Sequence, residues 1–300
     1  MDNMRGALLM VLAMLGFAIE DMFIKLLADG VPIGQILLML GLGGGTVFAL
    51  IVRLQGRRLV DPQMRSLPIF LRAVGELVGA LGFVSAIVLT PISSASAILQ
   101  ATPLVVTLGA ALFLGETVGW RRWSAILVGL FGVILIIRPG MAAFEPLSLL
   151  ALVGVFGLAV RDLATRRAPS TISSMQLSYL GFVATIPGGL GYMWLSDTAY
   201  VALNPSEWIY MACALGIGLF AYYAIVAAMR LGDISFVSPF RYARLLFALV
   251  IGITVFAETP DAMTLLGAGI IVASGIYTVW RERKLRTVAP ASLSKPAQPG

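Results

Sequence analysis

Histidine is absent from the 300 residues of this chain, and cysteine occurs once. The missing histidine removes the commonest general base at neutral pH and the commonest metal ligand. The single thiol, Cys213, lies inside a long apolar stretch and offers neither a disulfide framework nor a thiolate metal site. No Gly-rich phosphate loop ending in Gly-Lys-Ser/Thr occurs, as an ATP-driven pump would carry. We therefore expect no metal, no cofactor and no enzymatic activity.

Charged residues are also scarce. They make up 12% of the chain, whereas 59% of the residues are hydrophobic, and a soluble domain carries about twice that charged fraction. A membrane-spanning helix needs about 20 apolar residues, and such windows follow one another through short connections. The sequence predicts an all-α integral membrane protein with ten spans. The windows are 6–27, 33–53, 68–89, 95–115, 121–138, 148–167, 173–195, 207–229, 234–256 and 261–280.

The basic residues fall almost entirely on one side of this topology. If the N-terminus is cytoplasmic, only Lys25 and Arg138 lie at the outer ends of spans, and fifteen others lie inside, which is the positive-inside pattern. Both termini are therefore expected in the cytoplasm. The net charge of +6 is spread over short segments and does not indicate a nucleic-acid partner. The fifteen are Arg5, Arg53, Arg57, Arg58, Arg65, Arg121, Arg122, Arg166, Arg167, Arg230, Arg281, Arg283, Lys284, Arg286 and Lys295.

The second half of the chain repeats the first. Residues 86–117 align with 228–259 without a gap at nine identical positions, and 16–21 matches 157–162 with Lys25 opposite Arg166. We expect two five-helix units, 1–140 and 141–286, followed by a disordered tail over 287–300. Because five spans is an odd number, the two units must cross the membrane in opposite directions, as in the inverted repeats of many transporters.

The motifs inside the repeat are familiar. The run LTPISSA at 89–95, ATPL at 101–104 and LFLGE at 112–116 resemble the repeat unit of the drug/metabolite transporter superfamily, the EamA-type repeat. VSPFRY at 237–242 and FAETP at 256–260 look like its second copy. The chain is most similar to exporters of the YddG type, and this resemblance implies aromatic amino acids as substrates. It also implies a central cavity lined by the third, fourth, eighth and ninth spans, with the fifth and tenth at the periphery.

Polar and aromatic residues on those four spans are the candidates for a substrate cavity. Ordinary packing is the alternative for each aromatic residue, and one member of the Tyr222-Tyr223 pair is expected to face the interior because a buried hydroxyl needs a partner. The candidates are Glu76, Gly79, Phe83, Gln100, Tyr222, Tyr223, Phe240 and Tyr242.

Charges inside spans are costly and usually face a bundle interior or an aqueous cavity. Six of them fall in the cytoplasmic third of three spans, and two interpretations are open: a static ion network, or a cytoplasmic gate whose pairs break when the carrier opens inward. The candidate gate comprises Glu76 and the residues Arg72, Arg161, Asp162, Arg241 and Arg244. Glu20 and Asp21 are interpreted as partly solvated at an outer helix end, and Glu116 and Glu258 as structural.

These features predict a secondary transporter of the bacterial inner membrane that functions as a monomer. We expect it to export small amphipathic metabolites, amino acids including aromatic ones, by alternating access. Two alternatives stay open: a carrier that imports its solute or moves a vitamin, nucleotide-like compound or drug, and, more remotely, a membrane-embedded enzyme or receptor.

Overall fold

A computed structural model describes residues 2–115, 119–141, 144–231 and 234–288, and within these ranges the chain is helical with no β-strand. The α-helices are α1 (Asp2–Leu27), α2 (Ile33–Leu54), α3 (Leu67–Leu89), α4 (Ile92–Leu99), α5 (Thr102–Phe113), α6 (Trp120–Ile137), α7 (Leu149–Arg166), α8 (Ser174–Leu195), α9 (Pro205–Leu231), α10 (Ile234–Val237), α11 (Ala243–Val255) and α12 (Ala262–Val288). Helices occupy the predicted windows, and two of the windows, 95–115 and 234–256, are interrupted. The last helix continues to Val288, past the expected start of the tail, and 289–300 lie outside the described residues.

Seven helical stretches of the described chain are long and apolar enough to cross a membrane, and Trp123–Ile137 is a shorter apolar helix. The α4–α5 stretch, Ile92–Phe113, counts as one of the seven. Two further predicted windows contain no helix that meets this criterion of length and hydropathy. One is filled by α8, which runs unbroken through Pro187, and the other is divided among α10, a 3-10 turn and α11.

The same position is broken in each half of the chain. Pro103 lies in the first turn of α5 and follows the break at Gln100 and Ala101. In the second half, Pro239 opens a 3-10 turn over Ser238–Tyr242. Proline has no backbone N–H and clashes with the preceding helical turn, which accounts for both interruptions. Each half therefore has one span in two pieces.

The two halves pack against each other through four antiparallel helix pairs: α1 with α9, α2 with α8, α3 with α7 and α6 with α12. These contacts repeat the sequence symmetry. Gly75 on α3 packs on Gly157 of α7, and their counterparts in the repeat, Ile217 on α9 and Gly16 on α1, also contact each other. The α6–α12 pair leaves aliphatic side chains such as Leu127 and Ile134 exposed on its far side, which is a lipid-facing surface.

Glycine permits the closest of these contacts, between α3 and α7. A Cβ atom added at Gly157 would lie 2.3 Å from the Gly79 nitrogen, and one at Gly82 would lie 2.5 Å from the Gly154 nitrogen. Small residues that let backbones approach are typical of helix pairs in membranes. We call this contact of Gly75, Gly79 and Gly82 on α3 with Gly154 and Gly157 on α7 the glycine seam. It fixes the register of α3 on α7 and therefore the positions of the charged residues beside it.

We predict that Gly157→Ala forces α3 and α7 apart and lowers the thermal unfolding midpoint in detergent. Overpacking of this kind costs about 1–3 kcal/mol. Gly216→Ala on α9 is the matched control, because nothing lies within 4 Å of a Cβ atom there. Equal midpoints for the two variants would contradict a seam that depends on glycine.

Candidate functional site

One cluster of charges, the Glu76 layer, joins the two halves beside the glycine seam. Arg161 on α7 donates from Nη1 to Oε1 of Glu76 on α3 at 3.2 Å, and its Nη2 lies 2.8 Å from Oδ1 of Asp162. Arg72 lies one turn before Glu76 on α3, and its Nη2 is 3.7 Å from Oε2 of Glu76. A single guanidinium thus holds both carboxylates, and Glu76 lies between two arginines. The pairing of Glu76 and Asp162 with Arg161 and Arg72 was proposed for the gate.

The seam explains how these residues meet. A Cβ atom added at Gly75 would lie 2.6 Å from the Arg161 nitrogen, so α3 passes α7 at the turn that carries Arg161. Glu76 is the next residue on α3, and its side chain reaches Arg161 around the edge of the contact. Since a charge inside a membrane-spanning bundle is costly without a partner, this layer resists separation of α3 from α7.

A second cluster, the Asp21 layer, lies further along α3. Arg244 on α11 donates to Oδ2 of Asp21 on α1, from Nη2 at 2.6 Å and from Nε at 3.2 Å. Its guanidinium carbon also lies 5.3 Å from the ring centre of Phe17 and 5.1 Å from that of Phe83. The Asp21 side chain is 4% exposed. The interactions of a cation with a carboxylate and with aromatic faces are strongest where water is largely excluded.

This layer corrects two sequence expectations. Arg244 does not join Glu76 and Asp162, because the broken span delays α11 until Ala243 and points Arg244 at α1 instead. Asp21 is not a partly solvated helix end, since it is buried and carries the Arg244 contact. Helical spacing was the available signal: Phe17, Asp21 and Lys25 are four residues apart and share one face of α1.

A third cluster, the Glu258 layer, lies at the end of the bundle formed by the segments 28–32, 90–91 and 256–261. Lys25 of α1 donates to the backbone carbonyls of Ile87, at 2.7 Å, and Thr90, at 2.6 Å, where α3 ends. Its Nζ also lies 3.9 Å from Oε1 of Glu258 in the other half. One lysine therefore closes the last turn of α3 and reaches across to the second repeat.

Glu258 caps α4. Its two oxygens accept from the backbone nitrogen of Ile92 at 2.6 Å, and from the nitrogen and hydroxyl of Ser93 at 3.1 and 2.6 Å. These are N–H groups that a helix start leaves unpaired, and a carboxylate there also meets the positive end of the helix dipole. The residue belongs to the repeat motif, and its role was interpreted as structural. Its counterpart in the repeat, Glu116, lies outside the described residues.

A further link at this end is exposed to solvent. Arg138, which follows α6, forms an ion pair with Asp261, and Asp261 accepts from the Thr264 backbone nitrogen at the start of α12. The hydrogen bond from Arg138, followed by the one from Thr264, lowers the pKa of Asp261 to about 2. Since the pKa of Asp261 is depressed in the folded state, its ionised carboxylate stabilises the fold at pH values above the ordinary aspartate pKa. That stabilisation is lost as the pH falls through about 2.

The two neighbouring tyrosines of α9, Tyr222 and Tyr223, lie in different surroundings. Tyr222 on α9 shares a short hydrogen bond with the Ser178 hydroxyl, and its ring meets Phe48 of α2 edge-on at 5.2 Å. Phe48 in turn stacks on Phe182 of α8 at 5.5 Å. Tyr223 is 68% exposed and points about 100° away from Tyr222 around the axis of α9. It does not belong to the packed group of Tyr222, Phe48 and Phe182, and its place among the cavity residues stays a prediction.

Two more candidates pack between helices instead of lining open space. Gly79 lies in the seam, where an added Cβ atom would come within 2.8 Å of Leu158. Tyr242 places its hydroxyl against Gly275 of α12, where that oxygen is buried without a hydrogen-bond partner among the described residues. Neither is therefore a cavity wall in this structure.

The remaining candidates lie at the two breaks. Gln100 is buried, and its Nε2 donates to the backbone carbonyl of Arg241 at 3.2 Å. This bond ties the break in the first half to the 3-10 turn in the second. Phe240 is 36% exposed and packs against Phe236 at 5.8 Å.

The charged layers are ordered along one face of α3. Arg72, Glu76 and Phe83 share this face, because residues four and seven apart lie above one another on a helix. At 1.5 Å per residue, Phe83 lies ~10 Å beyond Glu76, and Thr90 follows at the end of α3. Lys25, Asp21 and Phe17 were the residues that sequence reasoning missed here.

The comparisons with known proteins agree with this architecture. The profile of the EamA-like transporter family matches residues 4–138 and again 146–280. This chain belongs to that family. The family resemblance and the two-repeat organisation expected from the sequence are thereby confirmed, and the family consists of transporters. The bacterial inner membrane is confirmed as the location, in keeping with the membrane-length helices.

The sequence is similar to those of relatives whose names give different substrates. A riboflavin transporter of Vibrio cholerae is 34% identical over 65% of this chain and 65% of its own length. An S-adenosylmethionine uptake transporter of Rickettsia bellii is 24% identical over 65% of this chain and 66% of its own length. The chain thus spans slightly less than two thirds of these two relatives. A pseudopaline exporter of Pseudomonas aeruginosa is 27% identical over 90% of this chain and 94% of its own length.

A protein of known crystal structure has the same fold. The match has a TM-score of 0.57 at 20% identity and covers 91% of this chain and 98% of the other. At this identity the likeness concerns the arrangement of helices.

Proposed function

We propose that this protein is a secondary carrier that exports small amphipathic metabolites, amino acids including aromatic ones, by alternating access. The observation that supports this substrate class best is the Asp21 layer. It offers a guanidinium, a carboxylate and two aromatic faces in one place, contributed by both halves of the chain. These are the groups that a zwitterion with an apolar or ring-bearing side chain requires.

The chemistry of such binding follows from the pair itself. The substrate carboxylate replaces Asp21 on Arg244, since a guanidinium binds carboxylates through two parallel hydrogen bonds. Asp21, released from Arg244, then accepts the substrate ammonium group, so neither charge is left unpaired. The rings of Phe17 and Phe83 contact the side chain. Exchange of one ion pair for another keeps the cost of desolvation low.

The other two layers are the proposed gates. The Glu76 layer joins α3 to α7 at one end, and the Glu258 layer joins α1, α3 and α4 to the second half at the other. In alternating access, one layer breaks while the other is made. Since both halves contribute to each gate, a single chain contains the whole device, and we propose a monomer.

We propose ten spans with both termini in the cytoplasm, which places the Glu76 layer at the cytoplasmic end. The fifteen-to-two distribution of basic residues supports this orientation. We predict that a phosphatase reporter, which is active only outside the cytoplasm, is inactive when fused after Gly300 and active when inserted in the 138–148 segment. The reverse pattern would invert the orientation and exchange the two gates.

The transport prediction uses proteoliposomes that contain only this protein. We expect counterflow of L-phenylalanine in the wild type, and a loss of at least tenfold in Arg244→Gln, because the substrate carboxylate loses its partner. Arg244→Lys keeps the charge without the planar fork and should retain part of the activity. Arg53→Gln, at an exposed position on α2, is the matched control and should transport like the wild type.

A folded wild-type protein that moves no amino acid would remove this substrate class. The alternative is a larger metabolite with a flat ring, and the names of the riboflavin and S-adenosylmethionine transporters support including those two compounds in the panel. A pH gradient applied in separate runs distinguishes proton-linked export from uniport.

A further inference from the structure

Arg72 is a buried cation with unused donors. It is 7% exposed, and within the described ranges its Nε and Nη1 atoms are buried without a hydrogen-bond partner. The ion pair that it forms with a described residue, from Nη2 to Glu76, is 3.7 Å long, which exceeds ordinary hydrogen-bond length. Buried donors of a charged group are costly to leave unpaired, so this arginine has capacity for another acceptor.

The neighbouring charges do not supply that acceptor. Arg161 holds Glu76 through Oε1 at 3.2 Å and Asp162 at 2.8 Å, so the two carboxylates of the Glu76 layer are engaged mainly by one arginine. Arg72 and Arg161 balance these two carboxylates. An anionic group would supply an acceptor for the unused donors of Arg72.

The backbone of one neighbouring helix comes close to the guanidinium. The helix α8 faces Arg72 with Gly181, where an added Cβ atom would lie 3.4 Å from Nη1 and 3.1 Å from Oε2 of Glu76. One turn earlier on the same face, Ser178 holds the Tyr222 hydroxyl. Because position 181 carries no side chain, Nη1 of Arg72 faces the backbone of α8.

Three aromatic rings pack together beside Gly181. Phe182, next to Gly181, stacks on Phe48 at 5.5 Å, and Tyr222 meets Phe48 edge-on. These three rings come from α2, α8 and α9 and pack as one group. A ligand that places an anionic group on Arg72 would therefore have its apolar part against aromatic surface.

We propose that Arg72 is a second substrate station, which binds the carboxylate of a ring-bearing monocarboxylate on its way to or from Arg244. The inference rests on the proposed function, since it assigns an intermediate position to the same substrates. Arg72 and Phe83 share a face of α3 and lie ~16 Å apart along the helix axis. The two arginines are thus separate sites on one route.

The test is equilibrium binding to the purified full-length protein in detergent, with three probes. These are 3-phenylpropanoate, which has ring and carboxylate, 2-phenylethylamine, which has ring and ammonium, and inorganic phosphate. Because Arg244 is itself proposed to bind carboxylates, the variants are compared in an Arg244→Gln background. There we expect 3-phenylpropanoate to bind and to lose at least tenfold in affinity when Arg72→Gln is added, with partial recovery in Arg72→Lys. Binding of 2-phenylethylamine should not depend on Arg72.

A second variant guards against misfolding of Arg72→Gln. Gly181→Ala leaves every charge in place and puts a methyl group 3.4 Å from Nη1, so it should weaken 3-phenylpropanoate binding while the thermal midpoint stays within a few degrees of the wild type. Gly216→Ala is its control. Affinity for 3-phenylpropanoate that is unchanged in Arg72→Gln and Gly181→Ala would overturn the proposal.

Phosphate and transport separate the remaining outcomes. Phosphate that displaces 3-phenylpropanoate at equal concentration would show a general anion site and contradict the carboxylate assignment. Wild-type counterflow of L-phenylalanine that persists unchanged in Arg72→Gln would overturn this station and leave the proposed function standing. A wild type that neither binds nor transports any member of the panel would overturn the proposed function itself.

Discussion

The structure depends on one constraint: a charge inside an apolar bundle needs a partner, and here the partner comes from the other half of the chain. Glu76 meets Arg161, Asp21 meets Arg244, and Lys25 meets Glu258. Each pair joins the first repeat to the second. A separated charge at these depths costs several kcal/mol, so the halves can move apart at one layer only if the charges there find new partners. Substrate or water must supply them.

Close helix packing sets where those pairs lie. The α3–α7 seam allows backbone contact only because Gly79, Gly82, Gly154 and Gly157 lack side chains, and it brings Glu76 to Arg161. In the second half the broken span has a comparable effect, because α11 starts late and directs Arg244 at Asp21. Local backbone chemistry, glycine in one place and proline in the other, thus determines which charges meet. The rings of Phe17 and Phe83 then define what else fits beside Arg244.

Much of this could be read from the sequence. Helix positions follow from apolar runs, and the repeat follows from matched residues such as Lys25 with Arg166. The sequence did not show which charged residues pair with each other, because helical spacing places Arg244 on a face of its helix but does not tell which neighbouring helix that face contacts. Asp21 looked solvated from its distance to the helix end, yet α11 covers it. Tyr223 was indistinguishable from Tyr222 until the rotation of α9 was known.

The most direct measurement compares access to the interior from the two sides. A cysteine at Ala80, between Glu76 and Phe83 on α3, is introduced in a Cys213→Ala background and treated with a membrane-impermeant thiol reagent from each side. The account predicts that Glu76→Gln raises reactivity from the end of the bundle that carries Glu76, and that Glu258→Gln raises it from the opposite end. A cysteine at the lipid-facing Leu127 should stay unreactive in both. Equal changes from both ends, or none in folded protein, would contradict gates made of ion pairs between the halves.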